Sequence, residues 1–519
     1  MKQMVVYGAL IMLTMSCVQT TNSSKSQPRR PNVIFIFSDD HTNDAIGVYG
    51  NTLAKTPNID RIAAEGAIFN NFFVTNSICG PSRATLLTGT YSHVNGFTTN
   101  GSKFDINQLL FSRLLSQSGY ETAWIGKWHL GTLPGDAFDY WHILPGQGHY
   151  FNPDFITRDN DTVRHEGYVT DIITQVATTW LDQRTADKPF FLVVGEKATH
   201  REWLPDIQDL GAYDDVEFPL PETFYDDYQT RFAAANQDMT VSETMTLDND
   251  LKVNIDFENT RPSPDGMIYK RLNDEQRAAY KAYYQDKVSK EFNEKKLKGK
   301  ALAEWKFQRY LRDYLATANS LDRNIGKLLD YLESNGLAEN TIVVYGSDQG
   351  FYLGEHGWFD KRFIYEESLR TPFVIRYPGV VAPGTKIDQF LLNVDWAPTL
   401  LEIAGVNVPE ELQGQSFLPV LKNGGAAWRD AIYYHYYEYP EPHRVMPHFG
   451  LRTTKYKLVR FYGDKDFWEL FDLERDPHEL ENIYEANQDV AMALKERLDE
   501  LIAEYDDDSA AQILANEME

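Results

Sequence analysis

Four long apolar stretches, each closed by polar or charged residues, set the frame of the chain. Pro31-Asn-Val-Ile-Phe-Ile-Phe-Ser-Asp-Asp40, Glu121-Thr-Ala-Trp-Ile-Gly126, Pro189-Phe-Phe-Leu-Val-Val194 and Asn340-Thr-Ile-Val-Val-Tyr-Gly-Ser-Asp-Gln-Gly350 lack polar and apolar alternation. That is the pattern of strands buried on both faces of a parallel sheet. Ala67 to Val74 and Thr371 to Tyr377 read as further strands. Helices are expected at Thr56–Glu65, Ile106–Ser116, Val169–Arg184, Tyr310–Asn335 and Asp395–Ala404, with Gly336 as a stop. Strands alternating with helices predict an α/β fold whose large sheet lies between helical layers.

The pattern changes near Leu421. Ile432 to Tyr437, Gly450 to Arg460 and Trp468 to Leu473 alternate like antiparallel strands, and Ala491 to Tyr505 reads as a closing helix. A main domain over 31–421 and a smaller α+β C-terminal subdomain over 422–519 follow. Trp203 to about Glu275 has little periodicity and reads as a long insertion near a cleft mouth, where selectivity tends to reside. The charged stretch Asp274 to Leu302 is helical in pattern and solvated.

The strand ends carry candidate chemistry. Asp39 and Asp40 close the first strand, and adjacent strand residues point opposite ways, so they share an ion only if the backbone bends. Lys127 and His129 follow the second strand, two apart and facing the same way. Lys197 and His200 follow the third, and Asp348 and Gln349 close the fourth. Their oxygens suit a hard cation. In Ser77-Ile-Cys-Gly-Pro-Ser-Arg-Ala-Thr-Leu-Leu-Thr-Gly-Thr90 a short helix is expected from about Pro81 to Thr88, with Cys79 just before its positive end and Arg83 turned toward the same point.

Composition narrows the reading. The net charge of −26 argues against a nucleic-acid partner. Any anionic substrate then needs a local positive site, built from basic side chains or a metal. Met1-Lys-Gln-Met, the apolar Val5 to Met15 and Ser16 read as a signal peptide over 1–16. Leu13-Thr-Met-Ser16 before Cys17 is a loose lipoprotein cleavage box, which predicts a lipidated Cys17 and membrane attachment, with ordinary signal cleavage as the alternative. Residues 17–30 then form a flexible tether. Cys79 is left with no cysteine to pair with.

Cys79-Gly-Pro-Ser-Arg83 followed by Leu87-Thr-Gly89 closely resembles the signature of the type I sulfatases of the alkaline phosphatase superfamily. Gly126-Lys-Trp-His-Leu-Gly131 and Asp472-Leu-Glu-Arg-Asp-Pro-His-Glu-Leu-Glu-Asn482 are similar to further motifs of that family, and the likeness covers nearly all of Pro31 to Tyr505. The resemblance implies an alkaline phosphatase-like, mostly parallel sheet, and Cys79 oxidised by a sulfatase-maturating enzyme to formylglycine (3-oxoalanine). It also implies one Ca²⁺ on Asp39, Asp40, Asp348 and Gln349. Many relatives have Asn where this chain has Gln349. Arg83, Lys127, His129, His200 and Lys361 match catalytic positions. In the implied reaction a hydroxyl of the hydrated aldehyde attacks sulfur, His200 or Lys361 protonates the leaving alcohol, and His129 helps release sulfate. His356, Lys197 and His435 are candidate substrate contacts, with packing in an aromatic sheet as the other account of His435.

The tail resembles the carbohydrate sulfatases of Bacteroides-type organisms, which implies a periplasmic or membrane-anchored enzyme of a Gram-negative bacterium. The expected substrate is a glycosaminoglycan or mucin-type glycan carrying the 6-O-sulfate of N-acetylglucosamine. N-acetylgalactosamine 4- or 6-sulfate, uronate 2-sulfate, a phosphonate or phosphodiester, and a non-catalytic glycan-binding lipoprotein are the alternatives.

Overall fold

The structure is a computed structural model describing residues 1, 30–257, 268–423 and 428–517. The signal-like stretch, Cys17 and all of the expected tether but Arg30 lie outside the described residues. Among the described residues the long apolar stretches form adjacent strands of one ten-stranded sheet. Its order is Thr385–Ile387, Ala67–Phe69, Phe373–Arg376, Thr341–Ser347, Asn32–Ser38, Phe190–Gly195, Glu121–Lys127, Tyr140–Leu144, Asp154–Thr157 and Thr162–Arg164. The five strands from Thr341–Ser347 through Tyr140–Leu144 are parallel, and antiparallel strands flank them on both sides.

Successive side chains along Asn32–Ser38 enter two different cores, which is why Val33 to Phe37 is apolar without alternation. Ile34 and Ile36 pack with Ile59, Ile173 and Leu328 on one face. Val33, Phe35 and Phe37 pack with Leu87, Phe111 and Leu400 on the other. Each such buried side chain contributes about 1.5–3 kcal/mol, so the strands that deliver the polar ends are held by the strongest part of the core. The 36-residue helix Gly299–Ser334, with Pro57–Ala64 and Val169–Gln183, covers the first face.

The fold departs from the sequence reading in several places. The solvated helix expected over Asp274 to Leu302 is segmented, with a widened π-helical turn at Lys281–Ser289 and a stop at Lys296, whose φ is 49°. Strands Tyr140–Leu144, Asp154–Thr157 and Thr162–Arg164 extend the sheet although they are short and mixed in polarity. The insertion is mostly turns, with a five-residue helix at Phe232–Asn236.

The C-terminal subdomain is an antiparallel sheet of Ala431–Tyr436, His448–Thr453, Tyr456–Phe461 and Phe467–Asp472, covered by Gln488–Glu504. A further helix, Asp508–Glu517, follows. Its core is continuous with the main domain, since Tyr433, Phe449 and Leu458 share a cluster with Ile78, Tyr91 and Trp358. No described helix is long and apolar enough to cross a membrane.

Candidate active site

Parallel register brings the strand ends together. Ser38 lies beside Ser347, Phe37 beside Gly195, and Gly195 beside Gly126. Asp39, Asp348, Lys127 and Lys197 therefore emerge along one edge, outside the carboxyl ends of the strands, where open α/β sheets place ligands. The bend that lets two adjacent aspartates face one point occurs at Asp40, whose φ is 61°. The main chain there is clamped from two sides. Tyr314 Oη, from the 36-residue helix, donates to Asp40 O at 2.6 Å, and Thr199 Oγ1 donates to the same oxygen at 3.0 Å.

Cys79 is the first residue of the helix Cys79–Thr88, so it sits within the first turn rather than just before it. The preceding Ile78 is extended, and Gly80 leaves no room for a side chain. A Cβ there would lie 2.5 Å from the Phe97 ring, 2.9 Å from Asn100 Oδ1 and 3.3 Å from His129 O. This close approach packs the motif against the loop that carries His129.

Ligand atoms of Asp39, Asp40, Asp348 and Cys79 all lie within 4.8 Å of one another. Each carboxylate has a buried cation. Arg83 donates to Asp348 Oδ2 through Nε at 3.0 Å and Nη2 at 2.9 Å, while its Nη1 holds Lys127 O at 3.0 Å. Lys127 Nζ donates to Asp39 and to the side-chain oxygen of Gln147. Lys361 Nζ lies 2.5 Å from Asp40 Oδ1, and His200 Nε2 lies 3.9 Å from Asp40 Oδ2. The amide of Gln349 donates to Asp40 and lies 3.8 Å from Cys79 Sγ.

Burial governs the protonation states. It would raise Asp39, but Lys127, His200 and Arg83 together hold that carboxyl well below the usual range. Asp40 is pushed up to about 6 by burial, with Lys361 opposing. Asp348 is pushed up to about 7 by burial and the Asp39 charge. Burial and Asp39 also push the Cys79 thiol well up, so the encoded thiol is a poor nucleophile at neutral pH. Burial, reinforced by Lys127, holds His129 well below its ordinary value. His200 is likewise held low by burial, with Asp39 opposing. Its Nδ1 lies 2.6 Å from Arg201 O, and a carbonyl only accepts, so Nδ1 carries the proton and Nε2 offers a lone pair to the site.

The donor set fits a hard cation. Asp39 Oδ1, Asp40 Oδ2 and Gln349 Oε1 are buried without a hydrogen-bond partner among the described residues. Buried carboxylates this close repel one another, and a divalent ion with oxygen ligands would remove both costs.

Two expected substrate contacts are placed in packing networks instead. His356 is buried against Asp226, 2.8 Å from Nδ1, and Glu367, 3.7 Å from Nε2. His435 has both ring nitrogens committed, to Asp507 at 2.6 Å and Tyr462 at 2.9 Å, and it stacks on Tyr437. Its place in the sheet core is the aromatic-packing alternative. Lys197 stays by the site, donating to Gln147 O at 3.2 Å above the Tyr150 ring.

Several neighbours went unread in the sequence. Gln147 lies beyond Leu144, the register partner of Lys127, on a strand the apolar pattern missed. Asn100 Oδ1 accepts from Gly80 N at 3.0 Å, and Asn100 N donates to Glu438 at 3.1 Å. Arg362 joins Asp360 at 3.1 Å to Glu438 at 2.5 Å, and His443 Nε2 is 3.5 Å from Asp360. The C-terminal loop thereby reaches the segment that carries Lys361.

The comparisons with known proteins agree with this arrangement. The sulfatase family model matches residues 31–406, and the model for the C-terminal region of N-sulphoglucosamine sulphohydrolase matches 354–504. An N-acetylglucosamine-6-O-sulfatase of Bacteroides thetaiotaomicron is 46% identical over 97% of this chain and 92% of its own length. An N-acetylglucosamine-6-sulfatase of Capra hircus is 25% identical over 90% of this chain and 82% of its own. A solved structure in complex with its substrate D-glucosamine-2-N,6-O-disulfate superposes with a TM-score of 0.89 at 47% identity, covering 92% of this chain and 99% of that one. A family match over most of the chain, together with the cluster of buried carboxylates and cations around Cys79 at the edge of a parallel sheet, makes this protein a member of the sulfatase family and a sulfuric ester hydrolase.

Proposed function

We propose that this sulfatase removes the 6-O-sulfate from N-acetylglucosamine or glucosamine units of a glycosaminoglycan or mucin-type glycan. The observation that carries the substrate reading is the 46% identity, across 97% of the chain, to a relative named for that activity. The substrate named for the similar solved structure, a 6-O-sulfated glucosamine, points the same way. We further read Cys79 as the precursor of a formylglycine made by a maturating enzyme, and Asp39, Asp40, Asp348 and Gln349 as holders of one Ca²⁺. The N-terminal sequence supports export, with Cys17 as a lipid attachment point.

When bound, Ca²⁺ supplies charge neutralisation and polarisation at the ester, and the hydrated aldehyde supplies a hydroxyl nucleophile that a resting thiol does not. The side chains of the pocket do the rest. Arg83, Lys127 and Lys361 place fixed positive charge where the sulfate oxygens gather negative charge. Lys361 is charged in the resting site: burial would lower its pKa, but Asp40, Cys79, Asp360 and Asp39 together hold it well above its ordinary value. His200 is neutral there, and a sulfate anion beside it favours the imidazolium, the form able to hand a proton from Nε2 to the leaving oxygen. His129 is neutral, and its Nδ1 has no hydrogen-bond partner among the described residues, as a general base requires.

The test has two arms. Mass spectrometry of the tryptic peptide Ile62 to Arg83 from the native host is expected to find the aldehyde at Cys79, and active protein carrying only the thiol would refute that part. Among sulfated monosaccharides, N-acetylglucosamine 6-sulfate is expected to be hydrolysed fastest; preference for a galactosamine or uronate sulfate would overturn the substrate reading.

A further inference from the structure

The chain carries a net charge of −26, yet residues 287–300 hold six lysines against two glutamates. The fold breaks this stretch at its most basic point. Helix Lys290–Lys295 stops at Lys296, whose φ is 49°, and the 36-residue helix begins anew at Gly299. Lys290, Lys295, Lys296 and Lys298 therefore stand on an exposed elbow between two helices. They make no ion pair among the described residues, whereas Lys287 is held by Asp214 at 2.7 Å and Lys300 lies over the Tyr225 ring at 4.4 Å. Like charges so near one another repel, and a bound polyanion relieves them.

The surface beside the elbow is recessed. Two adjoining clefts of about 540 and 610 Å³ share Lys295, Trp305 and Gln308, and a third of about 560 Å³ takes in Lys290, Lys296, Asn254 and Asn293. Trp305 is half-buried, its ring centroid 4.5 Å from that of Phe292, and gives the shared wall an aromatic surface. Glu217 and Glu291 also line the first cleft, so attraction for an anion is strongest at the elbow itself. Ammonium groups, amides and an aromatic ring together suit a sulfated sugar chain, whose sulfates take the charge and whose hydroxyls take the hydrogen bonds. A lipid surface would use the charge and none of the recesses.

The elbow is remote from the catalytic edge. Tyr314, which touches Asp40, lies 15 residues along the helix from Gly299, roughly 22 Å at 1.5 Å per residue. We propose that the elbow of Lys290, Lys295, Lys296 and Lys298 is an auxiliary docking surface for a sulfated polysaccharide, holding the polymer while one of its units is presented to the pocket. Attachment at a second place makes the catalytic encounter intramolecular, which raises affinity for the polymer and leaves the chemistry untouched. Its part in presenting substrate rests on the reading of a sulfated glycan as substrate.

The test compares Lys295→Glu/Lys296→Glu/Lys298→Glu with a charge-matched control, Lys188→Glu/Lys386→Glu/Lys422→Glu, whose lysines are exposed elsewhere. On immobilised heparin the elbow variant is expected to bind about 10-fold or more weakly than wild type, and its KM for a sulfated oligosaccharide to rise by a similar factor. Its kcat/KM on N-acetylglucosamine 6-sulfate should match wild type, and the control should keep wild-type affinity for heparin.

Wild-type affinity in the elbow variant, an equal loss in the control, or equal binding of wild type to chemically desulfated heparin overturns the proposal. Capture by phosphatidylglycerol vesicles without binding to heparin would overturn it in favour of a membrane contact. Thermal melting confirms that each variant is folded, and K295Q/K296Q/K298Q, expected to lose a smaller share of heparin affinity, reads the same question should the glutamate variant not fold. Elbow-dependent heparin binding by a wild type that hydrolyses no sulfated sugar would sink the substrate reading and leave the docking surface standing.

Discussion

At the scale of single residues, the pocket consists of charges that burial makes costly and neighbours make tolerable. Arg83 is fully buried, and its guanidinium spans Asp348, Lys127 O and the face of Phe37. Replacing it strands a buried carboxylate, so Arg83→Ala should lower stability by about 3–5 kcal/mol as well as abolish activity. Denaturant unfolding checks the first, and an unchanged midpoint would show that Asp348 finds another partner. Local sequence was informative where chemistry forces a short motif. Cys79, Arg83, Lys127 and Lys361 were legible because their types and spacing are constrained by one another. His356 and His435 were not, because a histidine beside aromatic residues looks the same whether it meets a ligand or an aspartate 70 or 130 positions away. Gln147 gave no signal at all, since its partner is fixed by register, not by spacing.

At the scale of elements, the apolar strands and their helices were readable from pattern, while the mixed strands after residue 140 and the broken charged helix were not. Asp154–Thr157 and Thr162–Arg164, at the sheet edge, bury too little to leave a periodic trace, and Tyr140–Leu144, though buried, is only five residues long. The 36-residue helix has a second task that no pattern announces. It delivers Tyr314 to the bend at Asp40, where the hydroxyl both donates to Asp40 O and accepts from Thr42 N at 3.2 Å. Tyr314→Phe should therefore cost about 1–3 kcal/mol in stability. On the proposed reading of Asp39, Asp40, Asp348 and Gln349 as a Ca²⁺ site, it should also weaken Ca²⁺ binding by about 10-fold or more, as loss of an outer support does at other metal sites. Calorimetric titration of metal-stripped protein reads the second effect; unchanged affinity would mean that Thr199 alone holds the bend.

At the scale of the whole molecule, distant segments are tied by buried ion clusters. His356 links the segment after the fourth strand to Asp226 of the insertion, a carboxylate that also holds Arg231. Burial alone would lower its pKa, but Asp226 and Glu367 raise it to about 9. A raised folded-state value means the contribution is complete below the unfolded value near 6.5 and is lost as pH climbs through about 9. Its size is roughly 3–4 kcal/mol at 1.36 kcal/mol per pH unit. His356→Gln should flatten the alkaline limb of a melting-temperature profile, and an identical profile in the variant would remove His356 as its source. Finally, the sealing of Cys79, only 1% exposed, bears on timing. On the proposed formylglycine reading, an enzyme that converts this side chain needs it outside the fold, and Gln349, whose amide lies 3.8 Å from its sulfur, comes about 260 residues after the motif ends. For a chain that folds as it is made, at ~5–20 residues per second, that leaves an interval of roughly 10–50 s. The proposed maturation of Cys79 then becomes a race against synthesis, and a mutation that hastens early collapse is expected to yield a well-folded, inactive protein.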